Sequence, residues 1–260
     1  MENKGVLVYC VVEKFDDRIS DIDGICADTK LYAIESGGLS AVVSDVGLDE
    51  YGEDVIAEKG EDIEWLKEKA TLFMDVMLNI MFQTRIIPMK FLTIFLTEDR
   101  VRETVDSNAE HFGGIFEKIR GCEELSVKVY CDSKKFKEET VSEEIERFEK
   151  TLAGKPKGAS FFLKKKFEAE LDDKIQNRIC GICNRFAEEL SGCSAETKTN
   201  KVLAKEITGI EKPMITNCAF LVRSDKTDVF REKAGAFAQE NEKNGFLVEA
   251  TGPWPPYSFC

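Results

Sequence analysis

His111 is the only histidine in the chain, and that limits the chemistry before any fold is considered. Ser–His–Asp and Cys–His machinery both need an imidazole, and a multi-histidine metal site is excluded outright. His111 sits in AEHFGG, read as late in a helix, where the C-terminal dipole favours a structural or surface imidazole. Cys180-Gly-Ile-Cys183 is the second candidate. Its CxxC spacing falls in the middle of a long predicted helix, whereas redox pairs favour a helix N-terminus, and no second CxxC completes a zinc site. The pair reads as core or helix-surface thiols, with a thiol oxidoreductase as the enzyme alternative. Asp21-Ile-Asp23-Gly24 resembles the start of a calcium loop but lacks the later ligands and the closing Glu, so it reads as a turn. There is no GxxxxGK[ST] and no GxGxxG to cradle a phosphate. Lys164-Lys165-Lys166 is the wet face of a helix or a site for an acidic partner. Nothing brings a nucleophile, a base and an orienting group together. The residues therefore favour a binding or assembly protein without catalytic, cofactor or metal residues over an enzyme.

Composition sets the frame for these residues. The 260 residues are 43% hydrophobic and 33% charged, enough for one large or two ordinary domains with a sizeable core. A net charge of -13 opposes binding to a phosphate backbone or an anionic membrane. Nine cysteines, an odd number at scattered spacing and without a secretory signal, point to reduced thiols in a cytosol. The densest apolar run, 72–82, is too short to span a bilayer, which takes roughly 20 apolar residues.

Element signals follow an α+β plan. GVLVYCVV (5–12) is a buried strand; 31–35 and 39–44 flank Ser36-Gly37-Gly38 as a hairpin. Residues 49–59 are an acidic loop or short helix, and 61–82 a helix apolar on nearly every face in its second half, hence buried on all sides. RIIPMKFLTIF (85–95) contains Pro88, which restricts it to an edge strand or an extended loop with a short strand. Thr97 caps a helix running to about Arg120, which Gly121 ends. A second unit opens with a strand at 125–131, then a charged helix 133–152, a Gly/Pro break at 154–158 and a long helix 159–190. The apolar residues of that helix recur almost every four positions, so the stripe rotates by about 40° per step. The helix either bridges two packing partners or kinks. A polar edge strand at 194–200, a strand at 213–224, a helix at 225–242 capped by Ser224 or Asp225, and a strand at 245–252 complete a βαββαβ order with one extra helix, a ferredoxin-like pattern.

The chain closes with TGPWPPYSF (251–259). Its prolines bias the segment towards polyproline II, so it loses little entropy on docking. Trp254, Tyr257 and Phe259 are anchors able to bury ~150–250 Å² each. Trp254–Pro255 is a candidate cis bond, at a cost of only about 0.5–1 kcal/mol. The strap either closes the protein's own core, joining the last strand to the N-terminal domain, or offers a hydrophobic contact to a partner.

NCAFLVRSDKTDVF (217–230) followed by TGPWPPYSF resembles the C-terminal signature of the gas vesicle protein F/L family. GLSAVVSDV (38–46), IIPMKFLTIF (86–95), GCEELSVKVY (121–130) and GASFFLKKK (158–166) resemble further family segments in the same order, so the likeness covers nearly the whole chain. Leu92 stands where relatives commonly carry Gly, Phe162 replaces a usual Tyr, and a histidine often found before the middle motif is missing. The resemblance implies an accessory protein of gas vesicles, located at the vesicle or in the cytoplasm. It would act in assembly or as a minor shell component by binding the hydrophobic main shell protein and other accessory proteins. It also implies a two-domain α+β protein, here 1–121, a ferredoxin-like 122–250 and a tail 251–260, with a ferredoxin-like variant as one option for the first domain. Trp254, Pro255, Pro256, Tyr257 and Phe259, with Pro88 and Phe91, are the candidates for a partner contact or a structural strap. A ferredoxin-like ligand-sensing or thiol-redox protein is the competing reading.

Overall fold

Every residue from Gly5 to Val12 of strand β1 (Lys4–Val12) is buried, so this strand needs cover on both faces. The computed structural model describes residues 3–26, 28–153 and 156–260, with the backbone alone at Glu143 and Lys157. It divides into two units, 1–120 with 254–260, and 121–253. In the first, β1 is followed by β2 (Tyr32–Ser36), β3 (Leu39–Gly47), α1 (Leu48–Tyr51), α2 (Glu53–Lys59), α3 (Ile63–Met81), β4 (Ile86–Pro88), β5 (Ile94–Phe95), α4 (Glu98–Ser107) and α5 (Ala109–Ile119). The sheet order is β2-β3-β1-β4, with β5 also on β1. Gly37 and Gly38 turn the β2–β3 hairpin at φ +59° and +76°, the left-handed values a two-residue turn demands.

One face of β1 gives Val6 and Val8 to a cluster with Val101 and Val105 of α4. The other gives Leu7 and Tyr9 to a cluster with Phe73, Met77 and Ile80 of α3. A register shift between Val8 and Cys10 turns the alternation over, so that Cys10 and Val12 join Leu7 and Tyr9. Tyr9 is buried without an orphaned hydroxyl: it accepts from the Ile25 amide at 2.8 Å and lies 2.9 Å from the Ser44 Oγ. Burial pushes its phenol up to about 12.

Three expectations for this half are corrected. Helix α3 is not buried all round. Its buried residues Phe73, Val76, Met77 and Ile80 form one stripe, while Leu72 and Phe82 are exposed, because the sheet covers one side only. The single helix expected after Thr97 is two. Thr97 does accept from the Arg100 amide, but at Asn108 the side chain donates to the Thr104 carbonyl at 2.8 Å and the backbone leaves helical values. His111 consequently lies in the first turn of α5, at the positive end of the dipole, and not at a C-terminus.

The second unit holds β6 (Cys122–Cys131), α6 (Ser133–Leu152), α7 (Lys157–Ser191), β7 (Ser194–Thr199), α8 (Lys205–Thr208), β8 (Met214–Arg223), α9 (Thr227–Asn241) and β9 (Phe246–Trp254). The order β7-β8-β6-β9 repeats the first sheet's arrangement of second, third, first and fourth strand. Gly154 and Lys155, from the expected break, lie outside the described residues. Helix α7 runs unbroken for 35 residues and does bridge two partners. Phe167 stacks on Phe148 of α6 at 3.7 Å. Further along, Ile175, Ile179, Cys183, Phe186 and Leu190 join the core beneath β6 and β8. Neither Ser224 nor Asp225 caps α9. Ser224 donates to the Gly121 carbonyl at 3.1 Å, Asp225 is held by Arg223 at 2.9 Å, and the N-cap position falls to Lys226 without a side-chain bond. The four-residue α8, which ends at Gly209 with φ +69°, carries no periodicity long enough to have been foreseen.

Leu92 occupies left-handed backbone at φ +61°, inside a turn closed by the Thr93 amide on the Lys90 carbonyl at 3.1 Å. A non-glycine residue there is strained by roughly 1–2 kcal/mol, which accounts for the glycine that the family resemblance places at this position. In urea unfolding, Leu92→Val is expected to destabilise the protein by about 1–2 kcal/mol more than Leu92→Gly, although valine removes less apolar surface. Equal tolerance of the two would show that the turn does not enforce this geometry.

Candidate functional site

The strap begins where β9 ends. Arg231 of α9 donates to the Gly252 carbonyl at 2.9 Å, and the Gly252–Pro253 peptide is cis, not Trp254–Pro255 as the sequence suggested. Beyond it, the chain clusters with the first unit from Trp254 onward. Two short turns follow: the Tyr257 amide donates to the Pro255 carbonyl at 2.7 Å, and the Phe259 amide to the Pro256 carbonyl at 3.1 Å. The prolines restrict the backbone that makes these turns. Pro255, Pro256 and Phe259 are buried, Trp254 is half-buried, and Tyr257 is 39% exposed.

Two points of the first unit hold the strap. Lys118 of α5 donates to the Phe259 carbonyl at 3.1 Å, and its ammonium lies 5.7 Å from the Phe259 ring centroid, a cation–π distance. The Tyr257 hydroxyl donates to the Met89 carbonyl at 3.2 Å. Met89 in turn donates its amide to the Tyr9 carbonyl at 2.9 Å, and the preceding Pro88 pairs with Cys10. The strap and the 86–95 segment, far apart in sequence, thus meet on the edge of one sheet. Pro88 fits there because its missing N–H costs an edge strand nothing. Phe91, half-buried, packs edge-on to Phe73 at 5.3 Å, which stacks on Tyr9 at 5.3 Å.

The remaining candidates come to no shared site. His111 is exposed, with its nearest ring contact at Phe112, 6.2 Å away. Cys183 is 1% exposed, and burial pushes its thiol up to about 11 even with Thr216 bonding to it; this suppresses the thiolate that redox exchange needs. Cys180 lies on the exposed side of the same helix, and none of the nine cysteines is placed in a disulfide. Asp23 pairs with Lys30 at 2.6 Å, while a Cβ on Gly24 would come within 2.7 Å of Thr29 Oγ1 and 2.8 Å of Ser44 Oγ, so the DID-G stretch is a tight turn. Lys164, Lys165 and Lys166 are exposed on α7. Among the described residues no group of three or more His, Cys, Asp or Glu is placed to hold a metal.

Sequence reasoning missed Lys118, whose role depends on a contact 141 positions away. It also missed a cleft of about 440 Å³ between β5 and α4, lined by Ile94, Phe95, Leu96, Arg100, Glu103, Thr104 and Ser107. Leu96, 73% exposed at its mouth, carries no sequence signal that separates it from a core leucine.

Comparison with known proteins places this arrangement. The family model for gas vesicle synthesis protein GvpL/GvpF matches residues 5–260. Gas vesicle protein L of Streptomyces sp. (strain CB03234) is 24% identical over 254 residues, covering 97% of this chain and 91% of that protein. Gas vesicle protein L1 of Halobacterium salinarum (strain ATCC 700922 / JCM 11081 / NRC-1) is 25% identical, covering 99% and 91%. The crystal structure of gas vesicle protein GvpF from Anabaena sp. PCC7120 matches with a TM-score of 0.73 at 16% identity, over 98% of both chains. That of GvpF from Microcystis aeruginosa matches at 0.65 with the same coverage. These two likenesses establish the mixed α+β fold with its two antiparallel sheets. With the family match running from the first strand to the last residue of the strap, the chain belongs to the GvpL/GvpF family of gas vesicle synthesis proteins and is a gas vesicle accessory protein.

Proposed function

We propose that the protein acts in vesicle assembly by holding an apolar segment of the main shell protein at the open cleft between β5 and α4. The observation that carries this reading is Leu96, an exposed leucine beside Ile94 and Phe95 on a cleft of about 440 Å³. A small, very hydrophobic shell subunit is an aggregation hazard until it is incorporated. A soluble acidic holder would cover its apolar surface, while the net charge of -13 keeps the complex dispersed. The partner is then a gas vesicle protein, and the place of action is the growing vesicle. No described helix is long and apolar enough to cross a membrane.

On this reading the strap has a structural task. Phe259, Pro255 and Pro256 are already buried and the strap groups with the first unit, so Tyr257 holds the 86–96 segment at Met89, Phe259 docks at Lys118 of α5, and partner contact is left to the cleft. The two units act as separate folding domains with their boundary near Gly121, and their shared strand order is the ground for taking both as ferredoxin-like.

Two variants separate the tasks. Phe259→Ala is expected to destabilise the first unit by about 3–5 kcal/mol, the usual cost of truncating a buried aromatic, read by urea unfolding. Normal unfolding combined with loss of shell-protein binding would instead make the strap a partner contact. Leu96→Asp is expected to reduce co-purification with the main shell subunit at least tenfold. It should change folding stability by less than about 0.5 kcal/mol, as befits an exposed site. Undiminished capture by the variant would remove the cleft from the account, and failure of the unmodified protein to capture the shell subunit would remove shell binding altogether.

A further inference from the structure

Two surface patches of opposite charge, one in each unit, carry exposed apolar side chains. The first is on α7. Phe161 and Phe162 are 71% and 69% exposed. Each has a lysine four residues on, Lys165 and Lys166, which at helical spacing falls on the same face. By the 100° step Phe162 and Lys166 fall opposite the buried residues Leu171 and Ile175, while Phe161 and Lys165 lie on the flank of that stripe and remain exposed. In sequence, residues 151–167 contain five lysines and no carboxylate, within a chain whose net charge is -13. The second patch is on α2 and the start of α3. From Asp49 to Glu68 carboxylates outnumber lysines nine to two. Ile63 is 75% exposed there and Leu72 39%, and a shallow depression of about 600 Å³ is lined by Trp65, Leu72, Glu64 and Glu68.

A lysine run on a charged helix is ordinarily a solvated face, and its solvation needs no partner. Two adjacent exposed phenylalanines change the balance. Leaving a Phe side chain in water forgoes about 1.5–3 kcal/mol relative to burial, and aromatics are the side chains most enriched in interface cores. The chain itself displays the complementary surface, acidic at the rim and apolar between.

We propose that the protein associates with a second copy of itself through a heterologous contact, in which the Phe161–Phe162–Lys165–Lys166 face of α7 in one copy docks on the acidic Trp65–Leu72 face of α3 in the next. Phe161 and Phe162 fill the depression beside Trp65 and Leu72. Lys164, Lys165 and Lys166 meet Glu64 and Glu68. Net repulsion between two strongly acidic molecules does not prevent this at physiological salt. The Debye length is then about 8 Å, so facing patches are felt and the distant charge is screened. Because the contact is heterologous, each copy retains one free half of either kind, and assemblies close into rings or continue.

Sedimentation velocity of the full chain at 0.15 M NaCl tests this by charge exchange. The unmodified protein is expected to self-associate in the micromolar range, with at least tenfold weakening at 0.6 M NaCl. K164E/K165E/K166E and E64K/E68K are each expected to be monomeric and to unfold at the unmodified temperature, and mixing the two is expected to restore assembly. Phe161→Ser with Phe162→Ser should abolish association without changing the fold. A monomeric unmodified protein at all concentrations overturns the proposal. So do association undiminished in either charge variant, failure of the mixed variants to reassemble, or capture of the monomer by anionic phospholipid vesicles through the same lysines in place of self-association.

Discussion

Phe259 is buried in a unit that, apart from the strap itself, consists of residues up to Arg120. The first unit is therefore discontinuous: its core contains a side chain made only after the second unit is complete. Closing so long a loop has an entropic cost that grows slowly with length, and the prolines of the strap reduce it by restricting the free chain. The docking is specific at both ends. Lys118 holds the Phe259 carbonyl and Tyr257 holds Met89, and through Met89 the strap reaches Tyr9 in the central strand. The edge formed by β4 and β5, with its cleft, thus depends on residues at both termini of the chain.

Strand and helix succession was legible because its signals are local. The uninterrupted run at 5–12, the glycine pair at 37–38 and the four-residue spacing along α7 each dictate one element, and Pro88 correctly forced an edge. What failed was whatever local signals leave undetermined. The second half of α3 is apolar enough to look fully buried, and only the sheet's position decides that Leu72 and Phe82 face water. Asn108 interrupts a helix that its neighbours would have continued, because its side chain competes for a backbone carbonyl. Of the candidate site, the strap and the Pro88 segment were both visible as motifs. Their meeting was not, since contacts across more than a hundred residues leave no periodicity. Leu92 illustrates the same limit: its left-handed backbone becomes intelligible only beside the turn that encloses it.

The distribution of charge and apolar surface is compatible with the assembly role proposed for the protein. Buried thiols such as Cys183 are held protonated, and the single imidazole stands apart on a helix surface. Of the exposed apolar side chains, Leu96 lies at the cleft, Phe161 and Phe162 on α7, and Ile63 and Leu72 on α3, each beside charged residues, while others such as Phe82, Val202 and Ile207 are scattered singly. Such an arrangement confines association to short-range apolar contacts between patches of complementary charge.

Native-state hydrogen exchange tests the central claim, that the strap is an integral part of the first unit. The amides of Tyr257 and Phe259, bonded within the strap, and of Met89, bonded to β1, report on opposite sides of the same contact. The account predicts that they open in one cooperative event, with protection free energies within about 1 kcal/mol of each other and the same dependence on denaturant. Free exchange at Tyr257 and Phe259 while Met89 stays protected would contradict it.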